Sequence, residues 1–203
     1  ACAPYRRLSL CNKNMEKKGT TKITDKNDLL ADVCMAAKYE GESLNTYSAQ
    51  YDAEYSSGSG FTLCTMLARS FADIGDIVRG KDPFYGNTQE KTKREQLENN
   101  LKEIFGNIYE ELIKNGRNGK LKTRYKDGKD PDFFQLREDW WTANRSTVWK
   151  ALTCEAYGTY FRATCGSGKT GTLTPSRCRC NDNQVPTYFD YVPQYLRWFE
   201  EWA

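Results

Sequence analysis

The chain of 203 residues is long enough for one large domain or two small ones, and it is polar but rich in aromatic side chains. Charged residues make up 28% and hydrophobic ones 38%, while 13% are Phe, Trp or Tyr, which is too aromatic for a disordered chain. The net charge is only +3 and histidine is absent. Composition therefore disfavours histidine-based catalysis and gives no reason to expect a nucleic-acid partner.

Eight cysteines are scattered along the chain rather than grouped as Cys-x-x-Cys pairs: Cys2, Cys11, Cys34, Cys64, Cys154, Cys165, Cys178 and Cys180. Zinc sites need close cysteine pairs or histidine partners, and the spacing Cys178-x-Cys180 does not suit one. We expect no metal and no cofactor, but disulfides formed in an oxidising, extracellular compartment. The sequence lacks a signal peptide and a bilayer-length apolar run, so we expect a fragment whose membrane anchor lies elsewhere.

The first part of the chain predicts an irregular segment and then a helix. Residues 1–24 are basic and cysteine-bearing, without helical periodicity. Thr24 or Asp25 is a suitable cap for a helix through Leu29 and Ala37. Gly41 is expected to interrupt this helix before it resumes towards Tyr51, because glycine is a poor helix former.

Two helices with clear apolar stripes follow a flexible Ser/Gly loop at residues 56–60. The first is predicted over Leu63–Val78 and the second, the longest, over Glu90–Asn115. Their apolar residues recur at spacings of three and four: Leu63, Leu67, Phe71, Ile74 and Val78 in the first, and Leu97, Leu101, Ile104, Phe105, Ile108 and Leu112 in the second. Both helices are expected to bury these stripes.

Residues 114–129 differ in kind from the helices around them. They contain seven Lys or Arg against one Asp, a net charge of +6, together with three glycines. Because apolar periodicity is almost absent, we predict an exposed basic loop. Clustered cations attract sulfate and phosphate groups, and this attraction weakens with salt. The segment is either a polyanion-binding site or an ordinary solvated loop.

The most aromatic stretch, Phe133–Cys154, holds three of the five tryptophans: Trp140, Trp141 and Trp149. Asp130-Pro131-Asp132 stands where a helix is expected to begin. The apolar stripe is wide, so other helices must cover more than one side of it. We predict the central helix of the core, covered by helices over 63–78, 90–115 and 189–202, with the tryptophans as core residues.

The last part of the chain predicts a cysteine- and glycine-rich loop over residues 157–188 and then a closing helix. Pro193 lies near the expected start of that helix. Its apolar residues are expected to share one helical face: Phe189, Val192, Leu196 and Phe199.

The sequence gives little support for an enzyme. Gly-Ser-Gly-Lys-Thr at 166–170 matches the tail of a phosphate-binding loop, but Ala163 stands where the first glycine is needed and the residues that follow are poor helix formers. A nucleotide-binding enzyme using Lys169 is therefore a disfavoured alternative. The adjacent pairs Glu138-Asp139 and Glu200-Glu201 diverge on a helix, so we expect solvated or ion-paired carboxylates rather than an acid and a base.

Several stretches together resemble Duffy-binding-like domains, in particular the alpha class of the variant erythrocyte membrane protein 1 family of malaria parasites. They are ACAPYRRLSLC from Ala1, DVCMAAKYEG from Asp32, ARSFADIGDIVRG from Ala68, REDWWTANR within Phe134–Cys154, and DYVPQYLRWFEEWA within Val185–Trp202. The resemblance spans nearly the whole chain.

The resemblance implies an all-α, disulfide-stapled bundle of long helices within a larger domain of three subdomains. Residues 1–60 would be part of the first subdomain, and residues 61–203 a second subdomain truncated at its C-terminus. It implies that Cys64 pairs with Cys165, and that Cys2 and Cys11 pair upstream of the fragment. The connectivity of the remaining cysteines stays open: Cys34, Cys154, Cys178 and Cys180.

The resemblance also implies a non-enzymatic adhesin on the surface of the infected erythrocyte, involved in rosetting and antigenic variation. Its partners would be a host-cell receptor or a sulfated or blood-group glycan, together with other domains of the parent protein. In this family receptor choice varies with the segments between helices, here Lys81–Lys93, Asn115–Asp130 and Thr164–Gln184. We predict polyanion contact by four basic side chains: Lys120, Lys122, Arg124 and Lys126. The alternative is recognition of a protein receptor by a helical face.

Overall fold

The computed structural model describes residues 2–17, 26–55, 61–84, 86–115, 119–125, 129–166 and 170–202. Within these ranges the secondary structure is helical, with two isolated β-bridges, Cys165 to Thr172 and Ser176 to Arg179. The helices are α1 (Tyr5–Leu8), α2 (Lys13–Lys17), α3 (Lys26–Tyr55), α4 (Phe61–Arg79), α5 (Thr88–Asn115), α6 (Gly119–Tyr125), α7 (Phe134–Leu152), a 3-10 turn (Phe189–Tyr191) and α8 (Gln194–Trp202). The predicted all-α fold is confirmed. Among the described helices, none is long and apolar enough to cross a membrane.

Helix α7 is the centre of the core, as its aromatic composition predicts. Trp140, Trp141 and Trp149 are all buried. The ring of Phe71 on α4 lies 5.0 Å from the ring of Trp141 and 5.1 Å from that of Trp149. Helix α7 packs against α3, α4 and α5. The contribution of α3 was not predicted, because the three covering helices expected from the sequence did not include it.

The first turn of α7 is stabilised by Asp130, which precedes the helix. The Asp130 carboxylate accepts a hydrogen bond of 3.0 Å from the backbone N–H of Gln135, in the first turn, and so satisfies a donor that lacks an intrahelical partner. Phe133 adopts a left-handed backbone conformation with φ of 57° and lies before the helix rather than within it. Its ring instead packs 5.8 Å from the ring of Tyr109 on α5.

Helix α3 is continuous from Lys26 to Tyr55, so the predicted interruption at Gly41 is wrong. The reason for glycine here is packing. A Cβ atom on Gly41 would lie 1.9 Å from the carbonyl oxygen of Leu152, at the end of α7. Glycine therefore allows the backbones of α3 and α7 to approach more closely than any side chain would permit.

Helix α4 is buried on two chemically different sides. Its predicted apolar stripe, which includes Leu67 and Phe71, is buried against the core. Its other side carries Ser70, Asp73 and Asp76, which are also buried. Because buried carboxylates need paired donors, this polar side must be covered by cations rather than by apolar residues.

Helices α1 and α8 supply those cations. Arg197 on α8 donates hydrogen bonds to Asp73, at 2.8 Å, and to Asp76. Arg6 on α1 forms ion pairs with Asp73 at 2.9 Å and with Glu201 at 2.8 Å. The two ends of the described chain thus meet over the polar side of α4.

The closing helix differs from its prediction. Pro193 does precede the first residue of α8, but Phe189 belongs to the separate 3-10 turn. Leu196 and Phe199, which were expected to share one helical face, are both exposed. The polar side of α8 faces inward because it must pair with the carboxylates of α4.

The predicted subdomain boundary between 1–60 and 61–203 falls next to residues 56–60, which lie outside the described residues, as does the predicted Ser/Gly loop. On both sides of it, apolar residues join one hydrophobic cluster, which contains Leu29 and Val33 of α3 together with Leu67 of α4 and Trp149 of α7. The division into two subdomains stays a prediction.

Candidate functional site

Part of the predicted basic loop is a helix. Residues 119–125 form α6, which packs against α5. The ring of Tyr125 lies 6.2 Å from that of Tyr109 on α5 in an edge-to-face arrangement, and such pairs stabilise a contact beyond the area that they bury. The prediction of a loop is wrong for these residues, because this tyrosine anchors the segment to the bundle.

The predicted basic residues differ in their surroundings. Lys122 is exposed on α6. Arg124 donates two hydrogen bonds of 2.6 Å to Asp139 on α7, and these hold the pKa of the Asp139 carboxyl below its usual value. The charge of Arg124 is thus largely engaged within the molecule. The side chain of Lys120 and the whole of Lys126 lie outside the described residues.

The adjacent carboxylates are ion-pair partners, as predicted. Glu138 pairs with Lys81 and, at 3.6 Å, with Arg79. Glu200 pairs with Arg69 at 3.3 Å. Since each carboxylate points towards a different cation, the pairs lack the convergent geometry of a general acid and base.

The cysteine-rich loop is clamped by two disulfides, Cys64–Cys178 and Cys165–Cys180, with Cα–Cα distances of 5.5 and 5.4 Å that are normal for such bonds. The pairing of Cys64 with Cys165 that the resemblance implied is therefore wrong. The carbonyl of Cys178 accepts a 3.1 Å hydrogen bond from the indole of Trp149 on α7, which places Cys178 within reach of Cys64 on α4. Cys165 instead bridges to Cys180 within the loop.

Proteolytic peptide mapping of the folded protein under non-reducing conditions is expected to recover two linked peptide pairs, one joining Cys64 to Cys178 and the other joining Cys165 to Cys180. Cleavage between Cys178 and Cys180 is needed to separate the two bonds, and Arg179 provides a tryptic site there. A peptide pair that joined Cys64 to Cys165 would contradict the structure.

The other four cysteines, Cys2, Cys11, Cys34 and Cys154, carry free thiols in the described structure. Cys2 and Cys154 are exposed, whereas Cys11 and Cys34 are partly buried. Burial and the neighbouring Glu40 carboxylate raise the pKa of the Cys11 thiol to about 11, and burial raises the pKa of Cys34. The pairing of Cys2 and Cys11 with upstream cysteines stays a prediction.

Thiol alkylation of this chain is expected to be selective. The thiolate is the reactive form, so at pH 8 only on the order of 0.1% of Cys11 is reactive. Iodoacetamide should label Cys2 and Cys154 first. Labelling of Cys11 should accelerate by about tenfold per pH unit between pH 8 and 10, as followed by mass spectrometry of quenched samples. Rapid labelling of Cys11 at pH 7 would contradict its burial.

The structure gives no phosphate-binding context to the Gly-Ser-Gly-Lys-Thr segment. Residues 167–169, including Lys169, lie outside the described residues. Before and after these residues, the backbones of Cys165 and Thr172 exchange two hydrogen bonds of 2.9 Å. Residues 170–188 then form bridges and turns, where a phosphate-binding loop requires a helix N-terminus.

The segment between α4 and α5, which belongs to the predicted variable segment Lys81–Lys93, contains an anchored strap, residues 81–84. The Asp82 carboxylate accepts hydrogen bonds from Arg7, Arg94 and Gln194. The Phe84 ring lies 4.6 Å from the Arg94 guanidinium and 5.6 Å from the ring of Trp198. A groove of about 540 Å³ lies between the strap and α8. Sequence reasoning could not find this groove, because its walls come from segments more than 100 residues apart, such as Phe84 and Tyr191.

These features define a class: an all-α, disulfide-linked domain in which buried charged side chains form ion pairs between helices. The family model of the Duffy binding domain matches residues 1–197, and the chain belongs to that family. No curated protein matches the chain. The resemblance seen in the sequence is confirmed.

Solved structures of the same family share this fold. The NTS-DBL1α1 domain of Plasmodium falciparum membrane protein 1 (PfEMP1) from the varO strain is 41% identical, with a TM-score of 0.79 over 100% of this chain and 43% of that one. An ICAM-1-binding PfEMP1 DBLβ domain is 33% identical, with a TM-score of 0.66 over 98% of this chain and 42% of that one. A PfEMP1 DBLβ domain solved bound to human ICAM-1 is 28% identical, with a TM-score of 0.63 over 97% and 38%. The chain thus spans less than half of each relative.

Proposed function

We propose that this chain is part of a host-receptor-binding adhesion domain on the surface of the infected erythrocyte. The observation that carries the proposal is membership of the Duffy binding domain family, with a fold shared over 98% of the chain with a PfEMP1 domain that binds ICAM-1. The disulfides support an extracellular location. The ion-paired carboxylates favour binding over catalysis.

We further propose that the basic segment 114–129, which contains α6, contacts a sulfated or otherwise anionic glycan of the host cell. The segment 114–129 has a net charge of +6, and Lys122 projects into solvent from a helix that is anchored by Tyr125. An anchored helix presents its cations in fixed positions, which reduces the entropy lost on binding. Because Arg124 is paired with Asp139, Lys122 is the stronger contact of the two.

Heparin chromatography at physiological salt tests this site. Replacing Lys120, Lys122, Arg124 and Lys126 by Glu should abolish retention, since the attraction to a polyanion is lost and repulsion replaces it. A matched control variant makes the same change in net charge elsewhere, at exposed lysines of α3, α5 and α7: Lys38, Lys91, Lys93 and Lys150. The control should keep most of its retention. An equal loss of heparin retention in both variants would show that retention depends only on net charge, and would reject the site.

Recognition of a protein receptor through a helical face is the second candidate. Two of the structural relatives are an ICAM-1-binding domain and a domain bound to human ICAM-1, and ICAM-1 is a protein. This candidate predicts cell binding that is insensitive to added salt and to glycosidase treatment of the cell. The glycan proposal predicts that both treatments reduce binding.

A further inference from the structure

A free thiol lies close to the two disulfides, at the C-terminal end of α7. The disulfides are Cys64–Cys178 and Cys165–Cys180, and the free thiol is that of Cys154, which is exposed. A thiolate beside a disulfide is the reactant of thiol–disulfide exchange, which needs no external oxidant or reductant. The position of Cys154 relative to the two bonds therefore decides what this thiol can do.

The chain after α7 contacts the cysteine-rich loop on both sides of Cys154. Before it, Thr153 accepts a 2.6 Å hydrogen bond from the guanidinium of Arg179. After it, the backbone N–H of Cys178 donates a 3.0 Å hydrogen bond to the carbonyl of Gly158. The Arg179 guanidinium also interacts electrostatically with Cys154. The free thiol is thus held beside the part of the loop that carries one cysteine of each disulfide.

Burial decides which of the two disulfides the free thiol reaches. Cys64 and Cys178 are both 0% exposed, whereas Cys165 and Cys180 are each 5% exposed. Because exchange requires access of the attacking thiolate to a sulfur, the more accessible bond is the target. Cys180 directly follows Arg179 in the chain, so its sulfur is the one that is attacked.

We propose that Cys154 exchanges with the Cys165–Cys180 disulfide, so that the cysteine-rich loop has two covalent forms. The Cys154 thiol gives up its proton, and the thiolate attacks the Sγ atom of Cys180. The Cys154–Cys180 bond forms as the Cys165–Cys180 bond breaks, and Cys165 leaves as a thiolate that takes up a proton. One disulfide is lost and one is gained, so the reaction is an isomerisation of the folded protein.

The exchange requires only a local movement. The two Cα atoms of a disulfide must come within about 7 Å of each other. Cys154 and Glu155 belong to an exposed turn after α7, and exposed turns move more readily than the elements that they connect. The Cys64–Cys178 bond is unchanged and keeps the loop attached to α4. The helical core is therefore the same in both forms.

The exchange changes what holds Cys165 in place. In the present form a disulfide joins this residue to Cys180, and its backbone pairs with Thr172 through two hydrogen bonds of 2.9 Å. In the exchanged form the covalent link is lost and the hydrogen bonds remain. Cys165 belongs to the predicted variable segment Thr164–Gln184, so the exchange sets how firmly part of that surface is held. The proposal does not depend on the proposed function.

The substitution Cys165→Ser tests whether Cys154 reaches Cys180. Serine removes the present partner of Cys180, so Cys154 and Cys180 should pair in the oxidised variant. Both residues should then resist N-ethylmaleimide until a reductant is added, and non-reducing peptide mapping should recover them as one linked pair. Free thiols at both positions, in a variant whose circular dichroism is that of the folded protein, would overturn the proposal.

The exchange itself is measured independently in the unsubstituted chain. The folded protein is incubated at about pH 8 without added thiol and quenched with excess N-ethylmaleimide. A linked peptide pair of Cys154 and Cys180 should appear together with alkylated Cys165, at a rate that is independent of protein concentration. Cys154→Ser should abolish both products. The matched control Cys2→Ser removes another exposed thiol and should leave both products unchanged.

Three results in the unsubstituted protein would overturn the proposal. The first is a Cys165 that stays unlabelled throughout the incubation. The second is a rate proportional to protein concentration, which would show that the exchange occurs between molecules. The third is a complete disulfide between Cys154 and a cysteine outside these 203 residues in the longer natural protein, because Cys154 would then have no thiol to exchange.

Discussion

Replacing Trp149 by Ala is expected to lower the free energy of unfolding by about 3–5 kcal/mol. The side chain is buried, its ring lies 5.1 Å from that of Phe71, and its indole N–H donates to the carbonyl of Cys178. Alanine would leave a cavity at the contact between α4 and α7. It would also leave a backbone acceptor without its donor, beside the disulfide that clamps the loop to α4.

Denaturant unfolding followed by circular dichroism measures this loss, and Trp202→Ala is the matched control. Trp202 is half exposed at the end of α8, so its removal should cost less than about 1 kcal/mol. Equal effects of the two substitutions would contradict the central role of α7. A Trp149→Ala protein with unchanged stability but no receptor binding would place function on α7 itself.

Replacing Arg197 by Met is expected to destabilise the protein by about 3 kcal/mol. Methionine keeps most of the volume of the side chain but removes a cation that binds two buried carboxylates, Asp73 and Asp76. Each carboxylate then keeps a single arginine, Arg6 for Asp73 and Arg79 for Asp76. The loss of charge balance should also weaken the attachment of α8.

The control is Arg124→Met, which breaks a bidentate pair with Asp139 at the surface. An exposed ion pair contributes little to stability because water and salt screen it, so the midpoint of denaturant unfolding of this variant should be close to that of the wild type. Hydrogen exchange of the α8 amides gives a second measurement and should accelerate only in Arg197→Met. Similar stabilities for both variants would show that the network under α8 contributes little.

The sequence predicts most of the helices because their apolar periodicity is strong. The stripe of α4 and the tryptophans of α7 are buried as expected, and so is the stripe of α5 apart from the half-buried Leu112. The interruption of α3 was wrong for a reason that lies outside the local sequence. Gly41 looks like a helix breaker until the carbonyl of Leu152 is seen to occupy the space of a side chain.

Periodicity shows which residues share a side of a helix, but it does not show which side faces inward. The sequence predicts that Leu196 and Phe199 share one helical face, and in the structure that face is exposed. The orientation of α8 is set by Asp73 and Asp76, which lie more than 100 residues earlier and which no local pattern connects to Arg197.

The candidate site was predicted only in outline. Net charge identified the basic segment, but the pairing of Arg124 with Asp139 depends on the packing of α6 near α7. The disulfide pairing likewise depends on where the loop backbone lies, which a hydrogen bond from Trp149 to Cys178 helps to determine.

The contact between α1 and α8 has a mechanical consequence. Arg6 is bound to Glu201, and the indole of Trp202 donates to the carbonyl of Cys2, so a polypeptide that passes through this unit leaves close to where it enters. Tension along such a polypeptide is carried by these few contacts between α1 and α8, whereas α3 to α7 lie outside the line of force. The surfaces on those helices therefore keep their shape under a pull that would stretch a unit with its ends at opposite poles.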